Sequence, residues 1–343
     1  GNESWTGPEN YSGTLYGNGY TVKNLVLSKT AARVGLFMSL GENAVIRDLN
    51  IEVKNESPED VLAAVHFGGI AGNVTKAVKI INVTVSGTLT FANTSAYVLL
   101  GGIIGETGAS SGTIELENCV THLNVELTNG TNGSNNTNGF GGLIGKAAGS
   151  IVSIKNCYTT GNIKVKNSAN KRHEAGGLVA DASNVQLKIE NSYASGEVIS
   201  RNDASSWGAD KALYAGGLVG GYKDTSTVMI KNSVALNPKV LAVALNFQND
   251  GGRAIFGRLV GGSPNPGANT LTVRNSIALK GMYTGKTETG EINNDTGDAD
   301  TAPGLGKTLD ELKQKSLWVD TLGWSESVWD FSGLSEGKWP TLK

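Results

Sequence analysis

Helical periodicity is almost absent from these 343 residues, aromatic side chains make up only 6%, and charged ones only 17%. The first absence excludes a helical bundle. The second and third, beside 47 glycines, point to many short strands joined by turns. No charge of one sign dominates either. Lys and Arg number 29 against 31 Asp and Glu, and no basic run occurs, so neither a phosphate backbone nor an anionic membrane is an expected partner. No stretch approaches the roughly 18 apolar residues of a membrane span, and no leader pattern opens the chain. The sequence starts at Gly1-Asn2-Glu3-Ser4 without Met, as a trimmed exported protein would. Secretion or display on the outer cell surface is therefore the expectation, with a signal or lipid-anchor segment removed. The two cysteines and three histidines show no spacing that gathers the four ligands of a structural metal site, and no cofactor is expected.

What is present is a repeat. A glycine-pair block recurs as Gly68-Gly69-Ile70-Ala71-Gly72, Gly101-Gly102-Ile103-Ile104-Gly105, Gly141-Gly142-Leu143-Ile144-Gly145, Gly176-Gly177-Leu178-Val179-Ala180 and Gly216-Gly217-Leu218-Val219-Gly220. Degenerate copies begin at Gly35 and Gly257, and the spacing of roughly 33 to 41 residues falls in the range of stacked repeat arrays. A second motif confirms the period: an apolar residue, usually a polar one, and then Asn82, Asn118, Asn156, Asn191, Asn232 or Asn275, with Asp48 taking that place in the first copy. If the repeats stack at strand spacing, roughly 4.8 Å, each amide lies over the next and can bond up and down a ladder. Cys119 and Cys157 follow the ladder Asn in adjacent repeats, so they are expected to be spatial neighbours, reduced and buried.

Each repeat reads as three short strands followed by a connection of variable length. The expected fold is all-β, a parallel β-helix (β-solenoid) of about seven rungs, right-handed by the general crossover preference. Residues 1–285 form the array with an N-terminal cap over 1–30, and 286–343 form a linker and a Trp-rich cap. In that cap Thr308-Leu309-Asp310-Glu311 predicts one helix from Leu309 to Ser316. Trp318, Trp324, Trp329 and Trp339 are expected to seal the last rung. Variable connections at one corner of every rung project from one face, where repeat proteins place binding surfaces.

These motifs resemble the GLUG repeat of bacterial surface proteins, known beside the catalytic domain of IgA-specific metallopeptidases and common in Bacteroidetes. The opening Tyr11-Ser12-Gly13-Thr14 with Gly17-Asn18-Gly19-Tyr20-Thr21-Val22, and the closing Trp329-Asp330-Phe331 and Trp339-Pro340-Thr341-Leu342-Lys343, are similar to the ends of such arrays. The resemblance implies a β-solenoid on a secreted or surface-anchored protein, with adhesion as the implied role. It brings no catalytic residues, since His-Glu-x-x-His occurs nowhere here.

The expected function is a non-catalytic adhesion module for a glycan or a host or matrix protein, monomeric, binding through Arg172, Arg201, Trp207, Asp210, Tyr214 and Arg253 of the long connections. Two alternatives remain. A carbohydrate-active β-helix enzyme would need converging carboxylates, and the best candidates are Arg172, His173 and Glu174 with Asp181, followed by Asp203, Asp210 and Lys211. A structural spacer would need no groove at all. Asp295, Asp298 and Asp300 are oxygen donors for calcium but lack EF-hand spacing. The sequons at Asn55, Asn73, Asn82 and Asn93 read as accidents of composition.

Overall fold

The structure, a computed structural model, describes residues 4–27, 31–54, 65–91, 97–108, 112–130, 138–149, 151–167, 172–204, 212–245, 254–264, 266–293 and 297–343. The chain is all-β with parallel sheets. Each repeat contributes one strand to each of two seven-stranded sheets and a longer stretch to a 20-stranded sheet. In the fifth repeat these are His173–Gly176, then across the glycine pair Val179–Ser183, then Gln186–Glu190, Tyr193–Ala194 and Val198–Asn202. Neighbours in each sheet are the same strands of the preceding and following repeats, so the sequence period becomes the stacking direction.

The glycine block forms the corner between the two smaller sheets. There Ile70, Ile103, Leu143, Leu178, Leu218 and Leu259 are fully buried, one above another. Burying each contributes roughly 1.5–3 kcal/mol. A side chain on the second glycine of the pair would meet the next repeat: a Cβ on Gly142 would collide with the Gly177 carbonyl oxygen. Opposite the corner, the apolar residues before the Asn motif, Ile46, Ile80, Leu116, Ile154, Ile189, Ile230 and Val273, fill the other side of the core.

The Asn column turns the chain. Asp48, Asn82, Asn118, Asn156, Asn191, Asn232 and Asn275 all have φ between 45° and 57°, the left-handed region that Asn and Asp tolerate and branched residues do not. The backbone thus selects the residue before the amide does. The amide ladder is also present, but in segments. Asn82 donates to Asp48 (2.8 Å), Asn118 to Asn82 (3.0 Å), Asn191 to Asn156 (3.5 Å) and Asn275 to Asn232 (3.0 Å). The side-chain carbonyl oxygens of Asn118 and Asn191 find no donor among the described residues. Cys119 and Cys157 are free, buried and adjacent, the Cys119 amide lying 3.3 Å from Cys157 Sγ.

At the start of the array, Thr14–Tyr16 and Thr21–Val26 add in parallel to Ala44–Lys54. At the other end, Leu305–Lys307 pairs with Ile277–Leu279, and buried Arg258 donates to the Gly304 carbonyl oxygen (2.7 Å). Those residues, and not the tryptophans, close the last repeat. Trp318, Trp324 and Trp329 instead run as a strap along the wall of the long sheet, over Val120, Tyr158, Tyr193, Val234 and Ile277. These five share one register column, which is why a single strap can cover them. Trp324 Nε1 donates to the Asn232 carbonyl and the Tyr193 hydroxyl to that of Pro340, both at 2.8 Å. The helix is shorter than the sequence predicts. Leu309–Leu312 carries the expected capping box of Thr308 and Glu311, and the chain then turns so that Leu317 and Trp318 drop onto the wall.

Candidate functional site

Charged and polar side chains cluster on the strands of the two smaller sheets, a few residues to either side of the glycine pairs. Asn73, Glu106, Lys146 and Asp181 occupy one register column on successive repeats. Lys146 Nζ lies 3.0 Å from Glu106 Oε1. From the facing sheet, His66 Nδ1 approaches Glu106 Oε2 at 3.2 Å, and its Nε2 shares a hydrogen bond with the Tyr97 hydroxyl at 3.1 Å. Burial lowers the pKa of His66, while the Glu106 carboxylate works the other way. The result is a half-buried chain of hydroxyl, imidazole, carboxylate and ammonium.

Two repeats further on, a second cluster is closed to solvent. Arg172 Nε donates to Glu174 Oε1 (2.5 Å), and its guanidinium stacks 4.5 Å above the Tyr214 ring. Lys223 Nζ bridges Glu174 Oε1 (3.4 Å) and Asp181 Oδ2 (2.7 Å), which brings the two carboxyl groups close together. Both carboxylates have no exposed surface, and His173 beside them is 1% exposed. The environment pushes the two acids apart. Glu174, although its burial opposes this, is held below the usual carboxylate range by Arg172 and Lys223. Burial and the Glu174 charge raise Asp181 to about 7. Burial lowers His173 to about 3. A close pair with split pKa values has the electronics of an acid and a base, but both members grip the same Lys223 ammonium and neither has exposed surface, whereas glycosidase carboxylates stand about 5 Å or more apart to admit a sugar. Two acids and two bases buried together offset one another's charge, which makes such a burial tolerable, although Glu174 Oε2 and Asp181 Oδ1 have no hydrogen-bond partner among the described residues.

The structure therefore gathers Arg172, His173, Glu174 and Asp181, as the enzyme reading required, and seals them. Tyr214 was expected to face a ligand. It is 1% exposed and faces Arg172, because its strand position lies beside Glu174 in the same sheet. Arg201 is separate from them, paired with Asp203 at 2.6 Å and with Glu288. Trp207, Asp210, Lys211 and Arg253 lie outside the described residues, as do Asp295, Asn55 and Asn93. Asp298 and Asp300 bind backbone: Asp298 accepts from the Asp300 amide (3.0 Å) and Asp300 from the Asn275 amide (2.7 Å). Sequence reasoning missed His66, Glu106 and Lys146. The available signal was an alternation of sign, Glu106, Lys146, Asp181, at one offset from the glycine pair in consecutive repeats.

No family model matches the chain. A stretch of 103 residues, 29% of the chain, is 37% identical to Halomucin from Haloquadratum walsbyi, and it spans 1% of that protein. A candidate immunoglobulin A1 protease from Bacteroides ovatus has a solved structure similar to 95% of this chain and 94% of its own, with a TM-score of 0.49 and 19% identity. Among the described residues no helix is long and apolar enough to cross a membrane.

Proposed function

We propose that the chain is a GLUG-type, right-handed parallel β-solenoid of about seven rungs and acts as a non-catalytic adhesion module, secreted or held at the outer cell surface. Its ligand is a glycan or a host or matrix protein. One observation carries the reading. The variable connections around residues 55–64, 92–96, 131–137, 168–171, 205–211 and 246–253 all join the long sheet to the same smaller sheet, and the strands that flank them are in register from repeat to repeat. The strands that bracket consecutive insertions thus lie side by side, and repeat proteins commonly gather a binding surface from such positions. The sealing of Glu174 and Asp181 removes the strongest carboxylate pair from any polymeric substrate.

A glycan and matrix-protein array probed with the whole chain and with Trp207→Ala tests this. Binding that falls in the variant supports the loop face, and a blank array refutes it. A carbohydrate-active enzyme is the second reading, favoured by the Tyr97–His66–Glu106 chain, which has the order of a proton relay. Release of reducing ends from a bound glycan, lost in His66→Gln, would establish that reading in place of the first.

A further inference from the structure

The tryptophan strap covers only part of the ladder wall. It reaches Asn232 and Asn275, through Trp324 and through the Thr321 carbonyl that accepts from Asn275 Nδ2 (2.7 Å), and it stops short of the first repeats. Where it stops, a groove of about 510 Å³ opens between Ser327 and Val328 of the strap and the side chains of Asp48, Asn50, Asn82, Asn118, His122 and Tyr158. We propose that this groove binds a segment of an uncharged oligosaccharide. The proposal rests on the binding-module reading above but places the sugar on the ladder wall, apart from the variable connections.

Four observations converge on that ligand chemistry. The lining mixes donors and acceptors without a surplus of either charge. Its charged groups are Asp48 and Lys343, and Asp48 is already engaged by Arg47 at 2.7 Å. A phosphate, sulfate or uronate would find no cluster of cations, whereas hydroxyls both donate and accept. Second, Asn118 spends its amide nitrogen on Asn82 and leaves its side-chain carbonyl oxygen without a donor among the described residues. An acceptor left so is costly until a donor arrives, and a sugar hydroxyl supplies one. Third, successive lining groups recur at strand spacing, roughly 4.8 Å, a repeat comparable to one pyranose ring. Fourth, Gly19 of the lining is followed by Tyr20, which is 77% exposed. Exposed rings of this kind stack on the apolar face of a sugar while amides fix its hydroxyls.

The test is calorimetric titration of the whole chain with cellotetraose, mannotetraose and N-acetylated chitotetraose, with tetragalacturonate and an extended neutral peptide as competing classes. One neutral tetrasaccharide is expected to bind. Its affinity should drop by about tenfold or more in Asn118→Gly, since a hydroxyl to amide bond is lost, and similarly in Tyr20→Ala. Glycine keeps the φ of 53° at position 118, so Asn118→Gly should stay folded with only the small loss of its ladder bond to Asn82, and the Tyr20 ring is mostly free of the fold, so Tyr20→Ala should retain the parent melting temperature. The proposal falls if no neutral tetrasaccharide binds, if tetragalacturonate or the peptide binds better, or if Asn118→Gly binds as tightly as the parent. Loss of binding in Trp207→Ala alone would overturn the groove and keep the loop-face reading. Loss in Asn118→Gly alone would do the reverse.

Discussion

Two groups in the sealed cluster oppose each other in pH, and separating them tests the account of that site. Asp181 has a folded-state pKa of about 7 against an ordinary 3.8. A carboxyl raised in this way keeps its proton in the native state when the unfolded chain has released it, so its contribution is full below about pH 3.8 and is lost as pH rises through 7. His173 is lowered to about 3 from 6.5. Its stabilising contribution is full above pH 6.5 and is lost as pH falls, because the unfolded chain takes up a proton that the native state refuses. At about 1.4 kcal/mol for each tenfold change in proton concentration, going from pH 7.5 to 5 gains on the order of 2–3 kcal/mol from Asp181 and loses on the order of 2 kcal/mol from His173. The pair nearly cancels in the parent protein. Denaturant unfolding at constant ionic strength should therefore show His173→Leu becoming more stable towards pH 5 relative to the parent, and Asp181→Asn becoming less stable. Comparing slopes within each variant removes the constant cost of the substitution. Glu174, held low, titrates below this window, and His66 and His122, both lowered by burial, act alike in all three proteins. Parallel pH profiles for the parent and His173→Leu would refute the reasoning.

The Asn column separates backbone demand from amide bonding. Asn156→Leu should cost about 2–3 kcal/mol, from left-handed strain and the lost bond to Asn191, whereas Asn156→Gly should cost about 1 kcal/mol or less; equal losses in thermal unfolding would assign the column to the amide alone. Trp324→Ala removes a side chain that is 1% exposed at the centre of the strap. It should cost about 3–5 kcal/mol, and limited proteolysis should cut 309–343 before any repeat; simultaneous cleavage throughout would show that the strap is not a separate layer.

The repeat period, the buried Leu and Ile positions and the Asn column were legible because each is a local demand made again in every repeat. The place of the strap was also written in the sequence, though less plainly. Two residues after the ladder position stand Asn50 and Thr84, then Val120, Tyr158, Tyr193, Val234 and Ile277, so an outward column changes from polar to apolar where the strap begins to cover it. Reading the tryptophans as an end seal missed this, because it considered the tail and the wall separately. The sealed charges were harder to see. Glu174 and Asp181 sit on different sheets and meet only through the fold at the glycine pair, and Lys223 comes from the following repeat. Exposed loop carboxylates and buried paired ones look the same in a sequence until the register of the sheets is known.

A stack in which repeats touch only their neighbours frays from either end, one layer at a time. The strap changes that behaviour. Because one segment grips layers contributed by Val120 through Ile277, the outermost of them cannot peel off without lifting the segment from the layers beneath. Residues 309–343 follow the repeats in the chain, so the layers can be laid down singly and the clasp closed afterwards. Assembly is then stepwise while disassembly is cooperative.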